Sequence, residues 1–100
     1  MNKLKTPTVG TILKEEFMEP NSISSYRLAK DINVPVSRIL NIIHNERKIT
    51  VDTSLRLGKY FNVSDVYFIS LQNEIDIRNT KNKIDDELNS IVPFTLKNNI

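Results

Sequence analysis

The stretch NVPVSRI, Asn33 to Ile39, decides the fold. A helix-like pattern precedes it, another follows it, and Pro35 stands between them. Proline fixes φ near the helical value and needs no amide donor, so Pro35 suits the start of the second helix. It also pushes Val34 toward extended geometry, so the first helix must end before it. Asn33 takes the turn position that often needs positive φ, where glycine is commonest and asparagine is tolerated. Val34 can plug the gap between the helices.

Upstream, Ser24 can cap a helix over residues 25–31 whose apolar positions are Tyr26, Leu28, Ala29 and Ile32. Ala29 lies midway, where a small side chain lets the next helix pack closely. Downstream, a helix over residues 36–44 carries Ile39, Ile42 and Ile43 on one face. Asn45 can end it in the left-handed conformation. Leu40 either fills a groove against the fourth helix or sits exposed. Two short helices around a three-residue turn suit a helix-turn-helix.

The rest of the chain reads as further helices. Residues 9–18 place Val9, Ile12, Leu13 and Phe17 in one stripe behind a Thr8 cap, and EPNSIS breaks the pattern at Pro20. A fourth helix spans residues 52–61 with Leu55, Leu57 and Tyr60 or Phe61 inward, capped by Thr50 or Asp52. A fifth starts after Ser64 and carries Phe68, Leu71 and Ile75 inward to about residue 78. KIDDELNSI continues as helix to Pro93, and the last residues are unassigned. The expected architecture is all-α: a five-helix helix-turn-helix domain over residues 1–78 and a C-terminal extension over 79–100, helical then irregular.

The composition narrows the function. The 100 residues are 39% hydrophobic and 26% charged, enough for one small core. Cysteine is absent, which excludes disulfides, a zinc finger and a thiol nucleophile. The start MNKLKTPTVG has lysines but no apolar signal run, and no apolar stretch nears the roughly 20 residues of a membrane span. A cytoplasmic protein with no membrane, cofactor or metal is expected. His44 is the only histidine, and consecutive Asp85, Asp86 and Glu87 cannot all face one metal, so no catalytic site is read. Residues 1–60 carry ten Lys/Arg against six Asp/Glu, whereas residues 61–100 carry four against six. The first part can face a polyanion and the last suits a protein partner.

With the isoleucines inward, the second helix of the unit presents Val36, Ser37, Arg38 and Asn41. The first residues of such a helix reach base edges in the major groove. Ser37 can bond several bases, Asn41 can pair bidentately with adenine, and Val36 can pack on a thymine methyl. Arg38 can take a guanine or a phosphate. Ser25, Tyr26, Arg47 and Lys48 flank the unit and suit phosphate contacts. A second apolar stripe, Ile77, Ile84, Leu88 and Ile91, exceeds what the core needs. It serves another copy, a different partner, or the chain's own fold-back.

The sequence also resembles a known family over about residues 8–78. GTILKEEF, SSYRLAKDINVPVSRILNIIHNERKIT, DTSLRLGKYFNVS and FISLQNEIDI occur in the order seen in HigA-like (VapI-like) antitoxins of the Xre/phage-repressor type. Departures are Val9 and Thr11 around Gly10, Asn45 and Glu46 before Arg47, Phe68 in a frequent tryptophan position and Ile75 in a tyrosine position. Glu46 weakens the basic loop, so Lys48 is the favoured phosphate contact there. The resemblance implies an antitoxin that neutralises a small basic RelE-like mRNA endonuclease toxin. It also implies a homodimer that represses its own operon on double-stranded operator DNA. The residues alone support the DNA-binding half, and leave open a stand-alone phage-type repressor or a helical protein-interaction module.

Overall fold

A computed structural model describes residues 7–95. Residues 1–6 of the lysine-bearing start and 96–100 of the expected irregular tail lie outside the described residues. Six α-helices are present, and among the described residues there is no strand. In order they are α1 (Val9–Ile12), α2 (Ser25–Ile32), α3 (Val36–Ile43), α4 (Val51–Phe61), α5 (Tyr67–Lys83) and α6 (Asp85–Asn89). The all-α expectation of a five-helix domain with a further C-terminal helix holds.

Local chemistry sets the boundaries. The Thr11 amide donates to Thr8 Oγ1 at 3.1 Å, the Arg27 amide to Ser24 Oγ at 3.0 Å, and the Thr53 amide to Thr50 Oγ1 at 3.4 Å. Each closes one orphan donor at a helix start. At the other ends Ser22, Asn33, Asn45 and Asn62 all take positive φ, between 55° and 63°. The amide beyond each reaches back five residues: Ile23 to Met18, Val34 to Ala29, Glu46 to Asn41 and Val63 to Gly58. Three asparagines thus do what glycine usually does at a helix end.

The chain's two glycines serve close approach instead. A Cβ on Gly10 would fall 2.1 Å from the Ile42 carbonyl oxygen, and one on Gly58 would fall 2.6 Å from the Ser64 carbonyl oxygen. Gly10 therefore seats α1 on the end of α3. Beyond α1 the chain widens into a π-helical turn over Leu13–Met18, then tightens into a 3-10 turn over Glu19–Asn21. Pro20 sits in that tight turn. Its ring would collide with a carbonyl four residues back in a regular helix, so the α pattern expected to Met18 gives way before it.

The core gathers Leu13, Leu28, Ile39, Leu57 and Phe68, all with no exposure, with Val9, Met18, Ala29, Ile32, Ile42, Ile49 and Ile75 around them. Phe17 packs on Phe68 and Phe61 with ring centroids 5.0 and 5.1 Å apart, joining the π turn to α5 and α4.

Three expectations need correction. Leu55 is 44% exposed, and the small Thr53 and Ser54 face inward instead. Tyr26 is 68% exposed and adds nothing to the core. The fifth helix begins at Tyr67 rather than directly after Ser64, and it runs past residue 78 to Lys83. Ser54 explains the late start. Its hydroxyl donates to the Asp65 carbonyl at 2.8 Å and accepts from the Ile69 amide at 3.1 Å. It thereby stands between the two groups that would form a first helical bond. The α5–α6 arm leaves the bundle: the radius of gyration is 18.1 Å, against about 13 Å for a compact chain of this length.

Candidate nucleic-acid interface

The α2–α3 unit has the turn its sequence requires. Asn33 sits at φ 63° and ψ 51°, and Pro35 precedes α3 with φ −63°. Val34 is half-buried against the core, and Ile39 and Ile42 anchor α3 with 0% and 2% exposure. Ser37 is exposed at the first turn of α3, and Asn41 is half-buried one turn later. Leu40 is also half-buried.

Not every expected reader faces outward freely. Val36 is half-buried and packs against the core. Arg38 folds back onto α4: its Nη1 donates to Asp52 Oδ2 at 2.8 Å, and its side chain keeps 25% exposure. At the first turn of α2, Ser25 is half-buried and Tyr26 projects into solvent.

The loop after α3 holds the other two expected contacts. Both Arg47 and Lys48 are exposed. Lys48 Nζ pairs with Asp76 Oδ2 at 3.1 Å, whereas no ion pair involves Arg47 among the described residues. The Asp76 carboxylate also accepts from Gln72 Nε2 at 3.1 Å, and Gln72 Oε1 accepts from the Ile49 amide at 3.3 Å. These bonds pin the loop to α5. Sequence reasoning favoured Lys48 over Arg47; the structure makes Arg47 the freer cation.

Arg56 went unnoticed in the sequence. Its Nε donates to Asp52 Oδ2 at 2.9 Å, and its Nη1 to the carbonyls of Ile32 and Asn33 at 2.9 and 3.4 Å. A cation on the last carbonyls of α2 satisfies that helix end. The i, i+4 spacing of Asp52 and Arg56 was a visible signal, but its continuation to Arg38 and to α2 is tertiary. The hydrogen bond from Arg56 leads in holding the Asp52 carboxyl below the usual carboxylate range; burial opposes it, and the bond from Arg38 adds to the lowering. A second tie joins α4 to α2: Tyr60 Oη donates to Asp31 Oδ2 at 2.5 Å, and Arg27 Nε donates to the same oxygen at 3.2 Å. The Tyr60 bond leads in lowering Asp31, and the same bond raises Tyr60.

No helix among the described residues is long and apolar enough to cross a membrane, and no group of three or more metal-binding side chains occurs among them. What the unit offers is a braced helix whose first turns carry hydrogen-bonding side chains, with cations on the following loop. That arrangement is that of a helix-turn-helix DNA-binding domain.

Comparison with known proteins agrees. The family described as Helix-turn-helix matches residues 15–68, and the chain belongs to it. Within it the chain is HigA-like and VapI-like. It is 33% identical over 94 residues to Virulence-associated protein I of Dichelobacter nodosus, covering 94% of this chain and 86% of the relative. It is 28% identical over 92 residues to Antitoxin HigA-1 of Vibrio cholerae, covering 92% and 87%. The solved structure of Pseudomonas aeruginosa antitoxin HigA with the higBA promoter superposes with TM-score 0.83 at 27% identity, covering 91% of this chain and all of that one.

Proposed function

We propose that this chain is the antitoxin of a toxin–antitoxin pair and represses its own operon by binding operator DNA as a symmetric dimer. The observation that carries the DNA half is the start of α3, where Ser37 is exposed and Asn41 half-buried one turn on, beyond a turn braced by Arg56 and Asp52. A solved relative of the same fold sits on a promoter. The base readers are Ser37, Asn41 and the free edge of Val36, with Arg38 available to guanine or phosphate. Ser25, Tyr26, Arg47 and Lys48 serve the backbone.

The partner half rests on the relatives' names and on the arm. The proposed partner is a small basic toxin, a RelE-like mRNA endonuclease. On α5 and α6, Ile77, Ile84 and Leu88 line an open cavity of about 290 Å³ with Asp76, Thr80 and Lys81, and Ile91 beyond is 64% exposed. Arg78, Lys81 and Lys83 precede this stripe's acidic end at Asp85, Asp86 and Glu87. Two copies laid antiparallel set each basic run against the other's acidic run, as a two-fold interface requires. A pair also supplies the second half-site that a single α3 lacks.

Co-expression with the neighbouring reading frame, followed by gel shift on the upstream fragment with and without the co-purified protein, tests this. A tight complex and retardation of the fragment are expected. Retardation with no partner points to a stand-alone repressor; a partner with no retardation points to an interaction module.

A further inference from the structure

Arg38 and Arg56 hold the same Asp52 oxygen, but not on equal terms. Arg56 is fixed from three sides, by Asp52 and by the carbonyls of Ile32 and Asn33. Asp52 is therefore anchored to the end of α2 whether or not Arg38 is present. Arg38 has its one short bond to Asp52 at 2.8 Å, while its Nε is buried with no partner. An unpaired buried donor is unfavourable, so packing alone does not choose this pose for Arg38. The carboxylate holds it there.

We infer that Asp52 is a positioning residue that restrains Arg38 and so sets the discrimination between matched and unmatched DNA. This role rests on the DNA-binding reading proposed above. A cation loose at the first turn of α3 would add a phosphate contact on any duplex, which raises affinity without sequence information. Held by Asp52, Arg38 transfers to DNA only where the duplex offers a better partner than the carboxylate. Specificity is a difference of affinities, and Asp52 lowers the non-specific member of that difference.

The test uses the full chain, a random duplex and the upstream fragment, with fluorescence anisotropy across a salt series. Asp52→Asn is expected to bind the random duplex about three- to ten-fold tighter, with a salt slope steeper by about 0.9, one phosphate contact's worth. The ratio of upstream to random affinity then falls. In an Arg38→Ala background the same change is expected to do little. An equal gain in both backgrounds means that Asp52 merely repels DNA, and overturns the role. Unchanged random-duplex affinity and slope overturn it as well. Asp52→Glu keeps the charge and is expected to restore the original slope. A second measurement uses the unsubstituted chain: restrained Arg38 guanidinium NMR signals both free and on random DNA support the role, and freely averaged signals in the free protein sink it. If the unsubstituted chain binds the upstream fragment no tighter than random DNA, the operator reading fails and the effect on discrimination with it, while the random-duplex comparison still decides whether Asp52 restrains Arg38.

Discussion

Gly10 lies so near Ile42 that a Cβ on it would stand 2.1 Å from the Ile42 carbonyl oxygen. The obstacle is backbone on both sides, since the Ile43 Cα is 3.0 Å from the same point. No side chain can turn away to make room. Gly10→Ala must push α1 off the C-terminal end of α3. Overpacking of this kind costs about 3 kcal/mol, the upper end of the usual range. For a domain of this size the melting midpoint should fall on the order of 15 °C. A midpoint within a few degrees of the unsubstituted chain would show that the two helices are not seated by this contact.

Ser54 makes a different prediction, because its loss can be repaired. Removing the hydroxyl frees the Ile69 amide and the Asp65 carbonyl, which are four residues apart and can bond each other. Ser54→Ala should therefore lower stability by about 1 kcal/mol or less, although the residue is fully buried. It should also lengthen α5 toward Asp65. Hydrogen exchange reports this directly: the Ile69 amide should stay protected in the variant. Fast exchange there, with a large fall in melting midpoint, would mean that the first turn depends on Ser54.

These two contacts mark where sequence reasoning stopped. The turn at Asn33–Pro35, the caps at Thr8, Ser24 and Thr50, and the inward isoleucines of α3 were legible because each rests on neighbours in sequence. The close approach at Gly10 and the insertion of Ser54 join residues far apart, and no periodicity records them. The same holds at the site. Ser37 and Asn41 follow from the face of α3, but the diversion of Arg38 to Asp52, fourteen residues away, does not. Lys48 looked the better loop cation because Glu46 stands beside Arg47, while its pairing with Asp76, on another helix, was out of view.

The Tyr60–Asp31 bond should be sensitive at both ends of the pH scale. Asp31 is lowered, so its contribution is present above the ordinary carboxylate value of about 3.9 and is lost as pH falls through the folded value below it. Tyr60 is raised, so its contribution is present below about 10 and is lost as pH rises through the folded value above it. Tyr60→Phe should lower the melting midpoint at neutral pH. The gap from the unsubstituted chain should close in strong acid and again in strong alkali. A gap that stays constant across the whole range would assign the effect to packing with Phe61 rather than to the hydrogen bond.

On DNA, the free and paired cations should separate. Arg47→Ala should weaken binding to every duplex alike and reduce the salt slope by about 0.9. Lys48→Ala should act in the same direction but less, because Lys48 must first leave Asp76. Asn41→Ala should instead lose about 1–3 kcal/mol of discrimination at one base step. Titrations on the upstream fragment and on single-step variants of it separate these effects. Equal losses for Asn41→Ala on matched and random DNA would remove Asn41 from the set of base readers.

The arm gives the last prediction. Leu88 on α6 is 41% exposed and Ile77 on α5 55%, yet they share a cavity with Ile84 at the junction of the two helices. If two copies bury this stripe against each other, a charge in its middle is left without water or a partner. Ile84→Lys should therefore give a monomer by light scattering at micromolar concentration. The helix-turn-helix core should keep its melting behaviour, since Ile84 lies outside the core packing. Operator affinity should fall steeply, because one α3 must then hold its half-site alone. A variant that remains dimeric moves the interface elsewhere. A monomer with undiminished operator affinity would retain the interface but remove the need for a pair in DNA binding.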